Sequence, residues 1–129
     1  MGNKKRIVLL VEDDPFLQKL FRSELGDLAD LYIAETEPDA LNKFEELKDK
    51  IFILIADGNL KNGGDTFKLM QNIEKAKQEE IFKGLVIVSS SEERTQGILM
   101  KIAGDISSPK DECKALEITC KLLKLLSQP

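Results

Sequence analysis

Short apolar runs alternate with segments of helical periodicity along the whole chain, and this alternation limits the fold more than any other feature of the sequence. The clearest runs are Arg6–Val11, Ile51–Ala56 and Leu85–Val88. They have no polar face, which indicates strands that are covered on both sides. Between them, apolar residues recur every three or four positions, as in amphipathic helices. This order predicts an α/β fold, a doubly wound parallel sheet with helices on both faces.

Two weaker strands and the helix ends complete the pattern. The weaker strands are predicted at Leu31–Ala34 and Asp105–Ser107, which makes five strand–helix pairs. Asp14 is a predicted N-cap for the first helix, since Pro15 suits the first helical position. The last helix is predicted to run from just after Pro109 to about residue 126.

Composition excludes several classes of protein. The 129 residues suit a single domain, and 42% of them are hydrophobic, enough for one core. The net charge of −4 argues against non-specific nucleic-acid binding and against a polybasic membrane anchor. No apolar run approaches the roughly 18 residues of a membrane span. The chain has no histidine, which removes imidazole-based metal sites and Ser-His-Asp triads. We therefore expect a soluble, cytoplasmic protein.

Acidic and hydroxyl side chains stand where the predicted strands end. Glu12 and Asp13 follow the first strand, Asp57 follows the third and Ser89 follows the fourth. Ligands of open parallel sheets bind at the carboxyl ends of the strands. If strands one and three are neighbours, the three carboxylates converge and repel each other, and a hard cation such as Mg²⁺ would relieve that repulsion. The alternative is that these acids are only helix caps and turn residues.

Three motifs at these strand ends carry a resemblance to a known family. They are LLVEDDP at residues 9–15, IADGNL at residues 55–60 and VIVSS at residues 86–90. Together they resemble the receiver domains of two-component response regulators, in particular chemotaxis-type single-domain receivers, over the whole of residues 1–129. The resemblance implies a flavodoxin-like sheet of five parallel strands in the order 2-1-3-4-5, flanked by five helices.

The resemblance also implies a site and a role. Asp57 matches the aspartate that accepts a phosphoryl group, and Ser89 matches the hydroxyl residue that swings toward that group. Glu12 and Asp13 match the acidic pair that holds Mg²⁺ together with Asp57, and Asn59 matches the residue that offers its backbone carbonyl to the metal. The implied partners are a sensor histidine kinase or phosphotransfer protein and a downstream protein. Such a chain is a phosphorelay switch, not an enzyme.

The sequence departs from the family pattern at the fifth strand. The family has a Lys-Pro pair there, but Ser108 stands in the position of the lysine and Lys110 lies beyond the proline. The aromatic residue of that strand is also missing, because its position falls on Asp105, or on Ile106 if the register slips by one. Two questions stay open, namely whether Lys110 replaces the lysine and whether the output surface of the family is kept.

The last helix presents apolar residues on more than one side. One stripe is shared by Cys113, Leu116, Cys120 and Leu123, while Ile118, Leu122 and Leu125 fall on another. A single apolar stripe satisfies the core in an ordinary surface helix. The second set indicates either a wide buried face or a surface for a weak homodimer or another partner.

Two other functional classes are alternatives to the phosphoacceptor switch. A pseudo-receiver, a phosphorylation-independent interaction module, is favoured by the missing lysine and aromatic residue and opposed by the intact acidic set. A metal-dependent hydrolase is disfavoured, since no glycine-rich phosphate loop follows the first strand and no further acid–base group is evident. The sequence leaves open whether the chain stands alone or is a fragment of a larger protein. No nucleic-acid or membrane partner is expected.

Overall fold

A computed structural model describes residues 5–58, 60, 66–108 and 114–126, and in these ranges strands and helices alternate as predicted. The strands are β1 (Arg6–Val11), β2 (Ala29–Ala34), β3 (Ile51–Asp57), β4 (Leu85–Ser89) and β5 (Ile106–Ser107). The helices are α1 (Pro15–Leu25), α2 (Glu37–Leu47), α3 (Phe67–Gln78), α4 (Glu93–Ile102) and α5 (Lys114–Leu126). None of the helices in the described part of the chain has the length and apolar character needed to span a membrane.

The strands form one parallel sheet in the order β2-β1-β3-β4-β5. The predicted order is therefore confirmed, and β1 and β3 are neighbours at the centre of the sheet. Parallel pairing of strands that are separated by helices places all their carboxyl ends at one edge. This edge carries the motifs that the sequence singled out.

Each face of the sheet has its own hydrophobic core, which explains why the central strands lack a polar face. Leu54 and Ala56 of β3 pack with α2, α3 and α4, whereas Ile53 and Ile55 pack with α1 and α5. The helices α2, α3 and α4, which cover one face, contribute residues that are fully buried: Ala40, Phe44, Leu69, Met70, Ile73 and Leu99. Because successive side chains of a strand point to opposite faces, a strand covered on both sides must be apolar throughout.

The second strand begins two residues earlier than its apolar run predicts. The structure starts β2 at Ala29, which pairs with Arg6, and the predicted start was Leu31. Asp30 is exposed, and aspartate is depleted in strands, so the local sequence gave no strand signal here. Pairing with β1 overrides that preference at the edge of the sheet.

The helix starts follow the capping pattern. The Asp14 carboxylate accepts a hydrogen bond from the backbone N–H of Phe16 at 2.9 Å, and Pro15 occupies the first helical position. The predicted N-cap of α1 is confirmed. In the same way the Thr36 hydroxyl accepts from the N–H of Asp39 at 3.3 Å and begins α2. These bonds satisfy N–H groups that have no partner inside the helix.

The last helix buries the predicted stripe only in part. Leu116 and Leu123 are buried and Cys120 is half-buried, and burial raises the pKa of its thiol above the ordinary value. Ile118 and Leu122, from the second set, are half-buried against the same core. Leu125 is 67% exposed. The buried face is thus wide, and the weak homodimer through this helix stays a prediction.

Candidate functional site

Three carboxylates converge at the carboxyl edge of the sheet. One oxygen from each of Glu12, Asp13 and Asp57 lies within 4.8 Å of the other two. Glu12 and Asp57 are buried, and Asp13 is half-buried. The convergence predicted from the strand ends is confirmed. It arises because β1 and β3 are adjacent and in register up to Val11 and Ala56, the residues that precede the acids.

The segment after β1 is held by its neighbours on both sides. The backbone N–H of Glu12 donates to the carbonyl of Ala34 at the end of β2, at 2.9 Å. The carbonyl of Glu12 accepts from the side-chain amide of Gln18 on α1, at 2.7 Å. The Glu12 carboxylate accepts from the N–H of Asp14 at 3.1 Å. Glu12 is therefore fixed in place. Asp14 caps α1, as both interpretations of the acids expected.

The chemistry of this cluster fits a hard divalent cation. Mg²⁺ binds one or two carboxylates and keeps several waters, and three carboxylates so close together repel each other in its absence. Glu12, Asp13 and Asp57 have the donor type and the spacing to hold such an ion. The predicted fourth ligand, the carbonyl of Asn59, lies outside the described residues.

The hydroxyl residue of β4 lies beside the central aspartate. Asp57 and Ser89 are register partners in the parallel β3–β4 pair. Strand neighbours are about 4.8 Å apart, and both residues follow an isoleucine of the α1–α5 core by two positions, so their side chains share one face. Ser89 is buried. The structure thus brings the predicted hydroxyl next to the predicted acceptor.

The residue in the place of the family lysine is a buried serine. The N–H of Ser108 donates to the carbonyl of Val88 at 2.9 Å, which places Ser108 beside Ser89 on the next strand. Ser108 is 1% exposed, and its hydroxyl has no hydrogen-bond partner within the described ranges. Lys110 lies outside those ranges.

Asp105, which stands where the family has its aromatic residue, has a structural role. Asp105 precedes β5, and its carboxylate accepts from the N–H of Val86 at 2.8 Å and from the ammonium of Lys77 at 3.0 Å. Lys77 also donates to the carbonyl of Ala103 at 2.7 Å. These bonds join α3 and β4 to the segment that leads into β5. The Asp105 side chain therefore connects these elements. Ile106 packs at the edge of the α1–α5 core.

Sequence reasoning missed Gln96, which lies on the inner face of α4. Its amide nitrogen donates to the carbonyl of Val88 and to the hydroxyl of Ser107, both at the edge that carries the acids. The available signal was its spacing, because Gln96 lies one helical turn before the buried Leu99. A polar residue on the apolar face of a helix is expected to have buried hydrogen-bond partners.

Addition of Mg²⁺ is expected to stabilise the protein. Binding to the native state alone raises the free energy of unfolding by about 2.7 kcal/mol at a hundred-fold excess over the dissociation constant. Thermal melts with and without millimolar Mg²⁺ measure this, together with NMR of the amides around Asp57. Unchanged melting and unchanged amides would show that the three acids do not form a cation site.

The control for this measurement is Asp57→Asn. It removes one of three mutually repelling charges, so without metal the variant should be more stable than the wild type by about 1–2 kcal/mol. It should also gain much less from Mg²⁺. A variant that is less stable than the wild type in metal-free buffer would mean that repulsion is not the dominant energy in the cluster.

Comparison with solved structures gives one consistent fold. The response regulator receiver domain protein from Clostridium thermocellum superposes with a TM-score of 0.72 at 17% identity, over 94% of this chain and 98% of that one. The receiver domain of the Saccharomyces cerevisiae response regulator Ssk1, solved with the histidine phosphotransfer signaling protein Ypd1, gives 0.72 at 16% identity, over 96% and 90%. The BeF₃-activated DrrB receiver domain gives 0.69 at 18% identity, over 96% and 99%.

No protein-family model and no curated protein sequence matches the chain. At these identities the structural likeness bears on the fold, and the strand order and the five flanking helices agree with it. The chain therefore has the fold of response regulator receiver domains.

Proposed function

We propose that the protein is a phosphoacceptor switch of a two-component phosphorelay, with Asp57 as the acceptor. The observation that carries this proposal is the convergence of Glu12, Asp13 and Asp57, with Ser89 as the register partner of Asp57. A helix cap or a turn explains one acid, but neither requires three acids at one point. The fold, shared with a receiver domain solved in a BeF₃-activated state, supports the same role.

The proposed step is a transfer of a phosphoryl group to a carboxylate. An oxygen of Asp57 forms a bond to phosphorus, while the bond between phosphorus and the donor atom breaks and the donor leaves with that electron pair. Ser89, the register partner of Asp57, would donate from its hydroxyl to an oxygen of the transferred group. Glu12, Asp13 and Asp57 would hold Mg²⁺, and the carbonyl of Asn59 would complete the set. When bound, the ion neutralises charge that develops on the phosphoryl oxygens.

The partners follow from the proposed role. A sensor histidine kinase or a phosphotransfer protein would supply the phosphoryl group, as the complex of the yeast receiver domain with Ypd1 suggests. The product would be a changed surface that a downstream protein recognises. We expect no turnover of a separate substrate, and we place the protein in the cytoplasm.

The experiment that tests the proposal is treatment with acetyl phosphate. In the presence of Mg²⁺ the protein should gain one phosphoryl group, and peptide mapping should place that group on Asp57. A chelator should suppress the reaction, because the carboxylates would then repel the incoming phosphate. Intact-mass spectrometry follows the modification over time. A protein that stays unmodified at high acetyl phosphate and Mg²⁺ would remove the proposed function.

One observation favours a second candidate, an interaction module that acts without phosphorylation. Ser108 occupies the position of the family lysine and offers a short neutral hydroxyl instead of an ammonium. A hydrogen bond to a charged group contributes about 1.5–3 kcal/mol, so losing the ammonium weakens coupling to a phosphoryl group. Ser108→Lys should enlarge the NMR response to beryllofluoride. If neither the wild type nor this variant responds, the interaction module is the better description.

A further inference from the structure

A buried glutamine joins α4 to the edge of the sheet beside the acceptor. Gln96 is 8% exposed, and its amide nitrogen donates to the carbonyl of Val88 at 2.7 Å and to the hydroxyl of Ser107 at 2.8 Å. A backbone carbonyl can only accept, so the first bond determines which end of the amide faces β4. One side chain therefore connects α4 with the end of β4 and with β5.

The carbonyl that Gln96 holds belongs to the peptide that leads into Ser89. A bond to the oxygen of Val88 restrains the plane of the Val88–Ser89 peptide, and with it the nitrogen and Cα of Ser89. The same oxygen accepts from the N–H of Ser108 at 2.9 Å. Ser89 is in turn the register partner of Asp57. The position of the Ser89 hydroxyl beside the acceptor thus depends on a carbonyl that α4 and β5 share.

Two buried polar atoms near the Val88 carbonyl do not form hydrogen bonds within the described part of the chain. The side-chain oxygen of Gln96 and the hydroxyl of Ser108 are buried and have no hydrogen-bond partner in the described part of the chain. Buried polar atoms without partners are uncommon in folded proteins.

The same helix also touches the residue that follows the acceptor. A Cβ placed on Gly58 would lie 2.5 Å from Cγ2 of Thr95 and 3.1 Å from the hydroxyl of Ser90. The backbone after Asp57 therefore runs directly against α4, with no room for a side chain. Thr95 is the neighbour of Gln96 in the sequence, so a displacement at Gly58 and a displacement at Ser89 both reach the same turn of α4.

We propose that Gln96 is a positioning residue, which holds the Val88–Ser89 peptide beside Asp57 and links it to β5 through Ser107. A displacement of Ser89 toward a group on Asp57 then moves the side-chain amide of Gln96, which is bonded to both β4 and β5. This inference rests on the proposed phosphoacceptor function. It assigns a second link between the acceptor and β5, beside the backbone bond of Ser108 to Val88, to a glutamine of α4. In this chain Asp105 and Ser108 replace the aromatic residue and the lysine of the family pattern.

Two variants separate the two branches of the link. Gln96→Met keeps the length and the apolar contacts of the side chain but loses both donated bonds. Ser107→Ala loses only the branch to β5, and Ser107 is exposed, so this change disturbs little else. NMR of each variant of the 129-residue chain, with and without Mg²⁺ and beryllofluoride, follows the amides of Ser89, Ile106 and Ser108. The lifetime of the phosphoryl group on Asp57 is measured in parallel by mass spectrometry.

The expected results differ between the variants. Ser107→Ala should keep the beryllofluoride response of Ser89 and roughly halve the response of Ile106 and Ser108. Gln96→Met should displace the Ser89 amide even without beryllofluoride and change the phosphoryl lifetime by roughly five-fold. If Gln96→Met leaves the Ser89 amide and the lifetime as in the wild type, the positioning role is overturned. If Gln96→Met does not fold, Gln96→Leu replaces it, since leucine suits a helix, is apolar and cannot donate a hydrogen bond.

Failure of the proposed function gives a different result. In that case the wild type itself does not respond to acetyl phosphate or beryllofluoride. The part of the inference in which a group on Asp57 acts on β5 through Gln96 is then overturned as well. The link between Gln96 and Ser107 is then decided on the unmodified protein by a double-mutant cycle. Non-additive changes in unfolding free energy for Gln96→Met and Ser107→Ala support the link, and additive changes overturn it.

Discussion

Asp57→Ala is expected to abolish phosphorylation by acetyl phosphate, with a fall of at least about a hundred-fold in the rate of modification. The variant lacks the proposed acceptor oxygen, and it also loses one of the three carboxylates that converge within 4.8 Å. Intact-mass spectrometry during incubation with acetyl phosphate and Mg²⁺ measures the modified fraction. Modification that persists in Asp57→Ala would place the acceptor on another residue.

The matched control is Asp14→Ala. Asp14 is the neighbour of the acidic pair in the sequence, but its carboxylate accepts from the N–H of Phe16 and caps α1. The variant should lose about 1 kcal/mol of stability, the usual contribution of an N-cap, and should still be phosphorylated. Loss of phosphorylation in both variants, with both proteins folded, would mean that the acids act through total charge and not through one acceptor.

Phe44→Ala is expected to lower the free energy of unfolding by about 3–5 kcal/mol, because it leaves a large cavity in the core. Phe44 of α2 is fully buried, and its ring centroid lies 5.5 Å from that of Phe82 in a tilted contact. In a protein of this size the loss corresponds to a fall of roughly 10–20 °C in melting temperature. Urea unfolding, followed by circular dichroism, measures the change in the free energy of unfolding.

The control for the core is the same substitution at an exposed phenylalanine. Phe16 lies on the first turn of α1 and is 61% exposed, so Phe16→Ala should change the free energy of unfolding by less than about 1 kcal/mol. Equal losses in the two variants would contradict the packing of α2 on the sheet.

The order of strands and helices was predictable from local patterns in the sequence. Continuous apolar runs indicate the strands, and apolar residues at every third or fourth position indicate the helices. The run Ile53–Ala56 is apolar at every position since it faces two cores, and this marks a central parallel strand. The start of β2 was not predictable in this way. Asp30 gives no local strand signal, and only its place opposite β1 brings it into the sheet.

The acidic site was predictable for a related reason. The three acids each stand at the end of a strand, and parallel pairing places such ends at one edge of the sheet, so Glu12, Asp13 and Asp57 had to converge once β1 and β3 were neighbours. The role of Asp14 was also legible, because an N-cap followed by proline is a local pattern. Asn59 and Lys110 lie outside the described residues. The carbonyl of Asn59 therefore stays a predicted ligand, and whether Lys110 replaces the family lysine stays open.

The sequence by itself determined the fold class, the acids at the strand ends and the departures from the family pattern at Asp105 and Ser108, since each depends on residue type and on spacing along the chain. Only the tertiary structure decided what stands around Ser89. The bonds of Gln96 to Val88 and Ser107 join residues that are 8 and 11 positions apart, on three different elements. No local pattern encodes such bonds, because their geometry exists only once α4 has packed against the sheet.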